Sequence, residues 1–238
     1  MKRLAVVAWA VLVVGLLIGS LRGAEGPATA PAGKVKVACV GDSITAGSGV
    51  KGKENFYPAQ LGKLLGDGYE VKNFGLSGAT LLNAGDKPYM KTGQFTGALA
   101  MVPDVVVIML GTNDSKPQNW GKHEGFVADY KELIAGFKKV NEKVKVYVCL
   151  PVPAYPPGAY GIRGEVIEKE ELPLVTQAAK ETGASLIDLH TALSGHKEMF
   201  PDGVHPNADG AGLMARAVYK GLTGKEAEGA ASQPATAK

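Results

Sequence analysis

The sequence predicts a three-layer α/β/α domain built on a five-stranded parallel sheet of order 2-1-3-4-5, a flavodoxin-like arrangement. Three observations carry this expectation. Five short apolar runs recur: VKVACV (35–40), YEVKNF (69–74), VVVIML (105–110), VKVYVCL (144–150) and SLIDL (185–189). Between and after them lie helical patterns at about 56–65, 92–101, 124–140, 164–182 and 207–221. Continuous β-branched runs suit strands covered on both faces, the mark of a parallel sheet. Five β–α steps with right-handed crossovers make it doubly wound, and the chosen order puts a crevice at the carboxyl ends of strands 1 and 3.

The chain opens outside this domain. Met1, Lys2 and Arg3 form a basic start, and Leu4 to Ile18 is apolar throughout apart from Gly15. Such a run makes ~22 Å of helix, short of the ~30 Å hydrocarbon core. Residues 1–22 therefore read as a signal peptide, or as an N-terminal anchor if Gly19 to Leu21 extend the helix. Either way the body is expected to be exported, periplasmic or extracellular. Membrane contact is expected only through an uncleaved N-terminal helix. Residues 23–33 form an Ala/Pro/Gly linker and 224–238 a low-complexity tail expected to be disordered, which leaves 34–223 as the domain. A net charge of +3 with both signs interspersed supplies no basic patch, so nucleic acid is set aside as a partner.

Strand 1 runs into Gly41-Asp42-Ser43-Ile44-Thr45. It also carries Cys39, and strand 4 carries Cys149; the order places them two strands, ~10 Å, apart, beyond the ~7 Å reach of a disulfide. Two buried thiols are expected. Strand 2 runs into Asn73-Phe74-Gly75-Leu76-Ser77-Gly78 and strand 3 into Gly111-Thr112-Asn113-Asp114. Strand 1 lies between strands 2 and 3, so these three clusters share one crevice mouth. Asp42 and Asp114 read as hydrogen-bonders that shape their loops. Beyond strands 3 and 4, Trp120, Tyr155 and Tyr160 are substrate-binding candidates, with core packing or loop anchoring an equal alternative.

Strand 5 is followed by FPDGVHPN (200–207). Returning from strand 5 to strand 1 requires ~14 Å, and the intervening residues span up to ~40 Å when extended, so Asp202 and His205 can reach the crevice. A hydroxyl, a flexible backbone amide and a side-chain amide form a nucleophile with donors for an oxyanion. Among four histidines, His205 alone has a carboxylate nearby in an order that a turn could organise. His123 and His196 read as surface loop residues and His190 as a satisfied polar group near a strand end. Plainer readings stand beside these: a helix cap for Ser43, a turn glycine at 78, a cap for Asn113 and a surface turn at 202–205. A metal site recruiting Asp188 and His190 lacks a compact ligand motif.

The four ordered blocks GDSIT, NFGLSGAT, GTND and DGVHP resemble the SGNH (GDSL-type) serine hydrolase family. The resemblance covers nearly all of 35–222. It implies Ser43 as nucleophile, His205 as base and Asp202 as the triad acid, with an oxyanion hole from the Ser43 and Gly78 N–H groups and the Asn113 amide. It implies no metal and no cofactor. The stretches GTNDSKPQNW, CLPVPAY and LIDLHTAL are similar to bacterial exported acetylesterase-like members, of the sialate O-acetylesterase-like or acetylxylan-esterase-like kind. The expected function is an extracytoplasmic serine esterase acting on acetyl or other short-chain acyl esters, with a small-molecule or carbohydrate acyl ester as substrate. The alternatives are a lysophospholipase or general short-chain carboxylesterase, an acyltransferase between sugars, and a non-catalytic carbohydrate-binding protein of the same fold.

Overall fold

The computed structural model describes residues 33–227. The expected leader (1–22), nearly all of the linker (23–33) and most of the tail (224–238) lie outside the described residues.

Five strands form one parallel sheet: β1 (Val35–Gly41), β2 (Tyr69–Gly75), β3 (Val105–Met109), β4 (Lys145–Cys149) and β5 (Ser185–Ile187). Their order is β2-β1-β3-β4-β5, the order chosen for the five strands above. Register sets where the loops begin. Gly41 is paired with Gly75 on one side and Met109 on the other, so β1, β2 and β3 end level and their loops leave the sheet together.

Side chains alternate along each strand and fill two cores. Ala38, Val40, Val106 and Ile108 face α3 (Gly93–Ala100), α5 (Phe126–Val140) and α7 (Leu172–Thr182), where Phe126, Leu133, Phe137 and Val175 complete the packing. Val37, Cys39, Val107 and Met109 face the opposite layer of α2 (Tyr57–Leu65), α8 (Leu189–Leu193) and α9 (Ala208–Thr223), with Leu61, Leu193, Met214 and Val218. Two short helices, α1 (Ser43–Ala46) and α4 (Pro117–Trp120), lie in the loops, and α6 (Gly164–Val166) runs into the segment that precedes α7.

Two expectations need correction. Cover on both faces holds for β1 and β3, but β2 and most of β5 are partly open, because an edge strand has one neighbour and less helix above it. The helix expected over 164–182 is divided by a π turn at Ile167–Glu171. The two cysteines are free and buried, on β1 and β4 with β3 between them. Among the described residues no helix is long and apolar enough to cross a membrane.

Candidate active site

The loop leaving β1 is short because Asp42 begins α1 immediately. Its buried Oδ1 accepts the Ile44 N–H at 2.9 Å, a side-chain cap that presents Ser43 as the first helical residue. Ser43 Oγ lies 2.8 Å from His205 Nε2, and His205 Nδ1 lies 2.7 Å from Asp202 Oδ2. The other Asp202 oxygen accepts the Val204 and His205 N–H groups at 2.9 and 2.7 Å. One carboxylate thus closes its own turn and orients the ring. Partial burial pushes the Asp202 carboxyl up, but the hydrogen bonds from His205 and Val204 outweigh it and hold the group below its ordinary value. Against an ionised carboxylate, Nδ1 donates and Nε2 is left to accept from the serine hydroxyl.

The second and third loops are locked to each other. Asp114 Oδ2 accepts the Leu81 N–H at 2.9 Å and Oδ1 accepts the Leu82 N–H at 2.8 Å, which ties the 78–82 segment to the loop after β3. Gly78 takes φ +80°, a left-handed conformation that favours glycine. Asn113 donates from Nδ2 to Ala79 O at 3.1 Å, which orients its amide and uses one of two N–H bonds. Its backbone carbonyl accepts from Asn119 Nδ2 at 2.8 Å. Among the described residues no acceptor engages the Ser43 or Gly78 backbone N–H. Burial pushes the Asp42 carboxyl up to about 6 and Asp114 up to about 7, against the hydrogen bonds that lower them.

Ser43, Gly78, Asn113, Asp202 and His205 line one cavity of about 440 Å³. Tyr160 lines it too, 66% exposed, at φ +61° and with its ring edge-on to the His205 imidazole at 5.3 Å between centroids. The other two aromatic candidates are elsewhere. Trp120 is buried against Phe126, with Nε1 donating to Glu170 Oε2 at 2.8 Å. Tyr155 packs on Phe200 and donates its hydroxyl to Leu193 O at 2.9 Å. Each polar ring atom found a partner away from the cavity, so these two rings anchor loops.

Ser48, Ser77 and Lys116 also face the cavity and carried no sequence signal beyond their nearness to the blocks. Lys87 Nζ donates to Ser77 O at 2.9 Å beside Gly78. Glu171 carries no sequence signal either: it is fully buried at the end of the π turn, packs against Gly111, and has no hydrogen-bond partner for either oxygen among the described residues. Burial, with Asp114 and Asp42 nearby, pushes its carboxyl well up. His190 Nδ1 is paired with Pro151 O at 3.0 Å and His123 Nδ1 with Trp120 O at 2.7 Å. Asp188 caps α8 by accepting the Thr191 N–H at 2.8 Å. Among the described residues no three His, Cys, Asp or Glu side chains converge to hold a metal.

Comparison with known proteins bears on this arrangement. Residues 39–213 match the model of the GDSL-like lipase/acylhydrolase family. An acetylxylan esterase from Xylanibacter ruminicola is 42% identical over 203 residues, covering 77% of this chain and 42% of the relative, so the chain spans under half of that protein's length. A carbohydrate acetylesterase from Sinorhizobium meliloti superposes with a TM-score of 0.66 at 25% identity, over 80% of this chain and 99% of that one. An aryl esterase of M. smegmatis shares the fold, with a TM-score of 0.66 at 20% identity over 79% and 97% of the two chains. The matched span begins within β1 and ends in α9, enclosing every residue of the crevice, and the chain belongs to the GDSL-like lipase/acylhydrolase family.

Proposed function

We propose that the protein is an extracytoplasmic serine esterase that removes acetyl or other short acyl groups from carbohydrates. The observation that carries this reading is the unbroken hydrogen-bonded series Ser43–His205–Asp202 at the wall of an open cavity. Similarity to an acetylxylan esterase and a carbohydrate acetylesterase supports the substrate class. The basic start and apolar run at 1–18 support export.

Ser43 Oγ attacks the ester carbonyl while its proton passes to His205 Nε2, and Asp202 stabilises the imidazolium through Nδ1–H. The carbonyl oxygen becomes an oxyanion, met by the Ser43 and Gly78 N–H groups and the second N–H of the Asn113 amide. Collapse breaks the acyl–oxygen bond, and the sugar alkoxide leaves with the proton held by His205. Water then enters, gives its proton to His205 and attacks the acyl-serine; collapse returns the proton to Ser43 Oγ and releases the carboxylic acid.

The test is hydrolysis of 4-nitrophenyl acetate and acetylated xylan by the wild type and Ser43→Ala, with fluorophosphonate labelling of both. Activity and labelling lost together in the variant support the reading. Undiminished hydrolysis by Ser43→Ala rejects it. Nitrophenyl esters from acetate to decanoate separate it from a lysophospholipase or general carboxylesterase, for which longer chains would be preferred or equally used.

A further inference from the structure

A second cavity, of about 530 Å³, is lined by residues 153–158 and Ile162 of the loop that also reaches the Ser43 cavity through Tyr160 and Ile162. Ile162 lines both, so the two adjoin. The loop that lines both is pinned: Tyr155 N donates to Gly203 O at 2.7 Å, inside the turn that carries Asp202 and His205. Exposed Tyr160 stands on the same loop, with its ring at the Ser43 cavity.

The lining has a definite chemistry. Glu165, Glu168 and Lys169 face it, and none has a hydrogen-bond or ion-pair partner among the described residues. His190 lines it with Nδ1 engaged; since the Pro151 carbonyl can only accept, Nδ1 carries a proton and Nε2 is the free ring nitrogen. Ser194 stands exposed at the rim, and Pro153, Pro156 and Pro157 supply apolar ring surface. Acceptor-only carboxylates, a donor-only ammonium and flat C–H surfaces together match a ligand rich in hydroxyls that both donate and accept. The volume is that of a small-molecule site. Two carboxylates against one ammonium disfavour an anionic sugar.

We infer that this second cavity is a glycan subsite that holds neutral sugar units flanking the one whose ester is cut, with the chain passing over Tyr160 between the two cavities. The inference rests on the esterase reading for its role in turnover, but sugar binding to the cavity is measurable without turnover.

Calorimetry on Ser43→Ala protein with unacetylated xylohexaose reads binding directly. Adding Glu165→Gln and Glu168→Gln together, or Ser194→Trp to fill the rim, is expected to weaken it at least tenfold. In the Ser43-intact protein the same changes are expected to raise KM tenfold for acetylated xylohexaose and to leave 4-nitrophenyl acetate turnover within twofold. Unchanged xylohexaose binding in both variants would overturn the subsite, as would equal loss on both esters. An oligogalacturonate bound as tightly as xylohexaose would overturn the preference for neutral sugars. If Ser43→Ala retains hydrolysis, the esterase reading fails while the calorimetric result still decides the subsite.

Discussion

Asp114 grips the backbone of Leu82, Oδ1 to N–H at 2.8 Å, and so fastens the loop bearing Asn113 to the loop bearing Gly78. Replacing Asp114 with Ala leaves two buried N–H groups unpaired, at about 1–3 kcal/mol each. Asp114→Ala is expected to lower stability by about 3 kcal/mol and kcat about tenfold, with Asp114→Asn, which keeps one acceptor, losing less. Chemical denaturation and steady-state rates check both; full wild-type rates in Asp114→Ala would remove the fastening role.

For the hydroxyl and its base, Ser43→Ala or His205→Ala is expected to lower kcat by about 10⁴ to 10⁶ and Asp202→Asn by about 10³ to 10⁴. Asn113→Ala removes one proposed oxyanion donor and is expected to cost about 10² to 10³. Combining Ser43→Ala with His205→Ala should add little, because the two act as a unit. Losses that multiply in the double variant would contradict a shared proton transfer.

Stability should fall as pH rises from 5 to 8. Burial pushes Asp42 to about 6, Asp114 to about 7 and Glu171 well up, so the folded chain holds these protons more tightly than the unfolded one. That contribution is fully present below the unfolded carboxyl range and is lost as pH climbs through the folded values. Asp202 has the opposite sign: its lowered value contributes stability above the unfolded range, lost on acidification. A urea midpoint higher at pH 5 than at pH 8, on the order of 1 M, is expected, with Glu171→Gln flattening the slope. A midpoint that rises with pH over this interval would refute the assignment.

Neither thiol should react in the native protein. Burial pushes Cys39 up to about 12 and Cys149 higher still, and both side chains are shut away from solvent. Ellman's reagent is expected to count two thiols only after denaturation; a native reading of one or two would place a thiol at the surface.

Much of the fold and the site is legible in the sequence, for identifiable reasons. β1 and β3 read clearly because strands covered on both faces must be apolar at every position. Ser43, Gly78 and Asn113 read clearly because each follows a strand end within a few residues, where sheet order alone brings them together. Trp120 and Tyr155 are not separable from Tyr160 in the sequence, since what decides a loop ring's direction is a partner far along the chain: Glu170 for one, the Leu193 carbonyl for the other. Glu171 sits in IEKEE, which looks like a solvated helix face; the π turn adds a residue and turns that carboxyl inward.

The hydroxyl at 43 and the imidazole at 205 are separated by 162 positions, and α9, which follows the imidazole, packs on α2, which follows the hydroxyl. During synthesis the serine therefore emerges long before the imidazole proposed to deprotonate it. On the proposed mechanism a growing chain stays silent until the segment after β5 has docked, and a protease cut that releases this segment would silence it again while sparing all five strands.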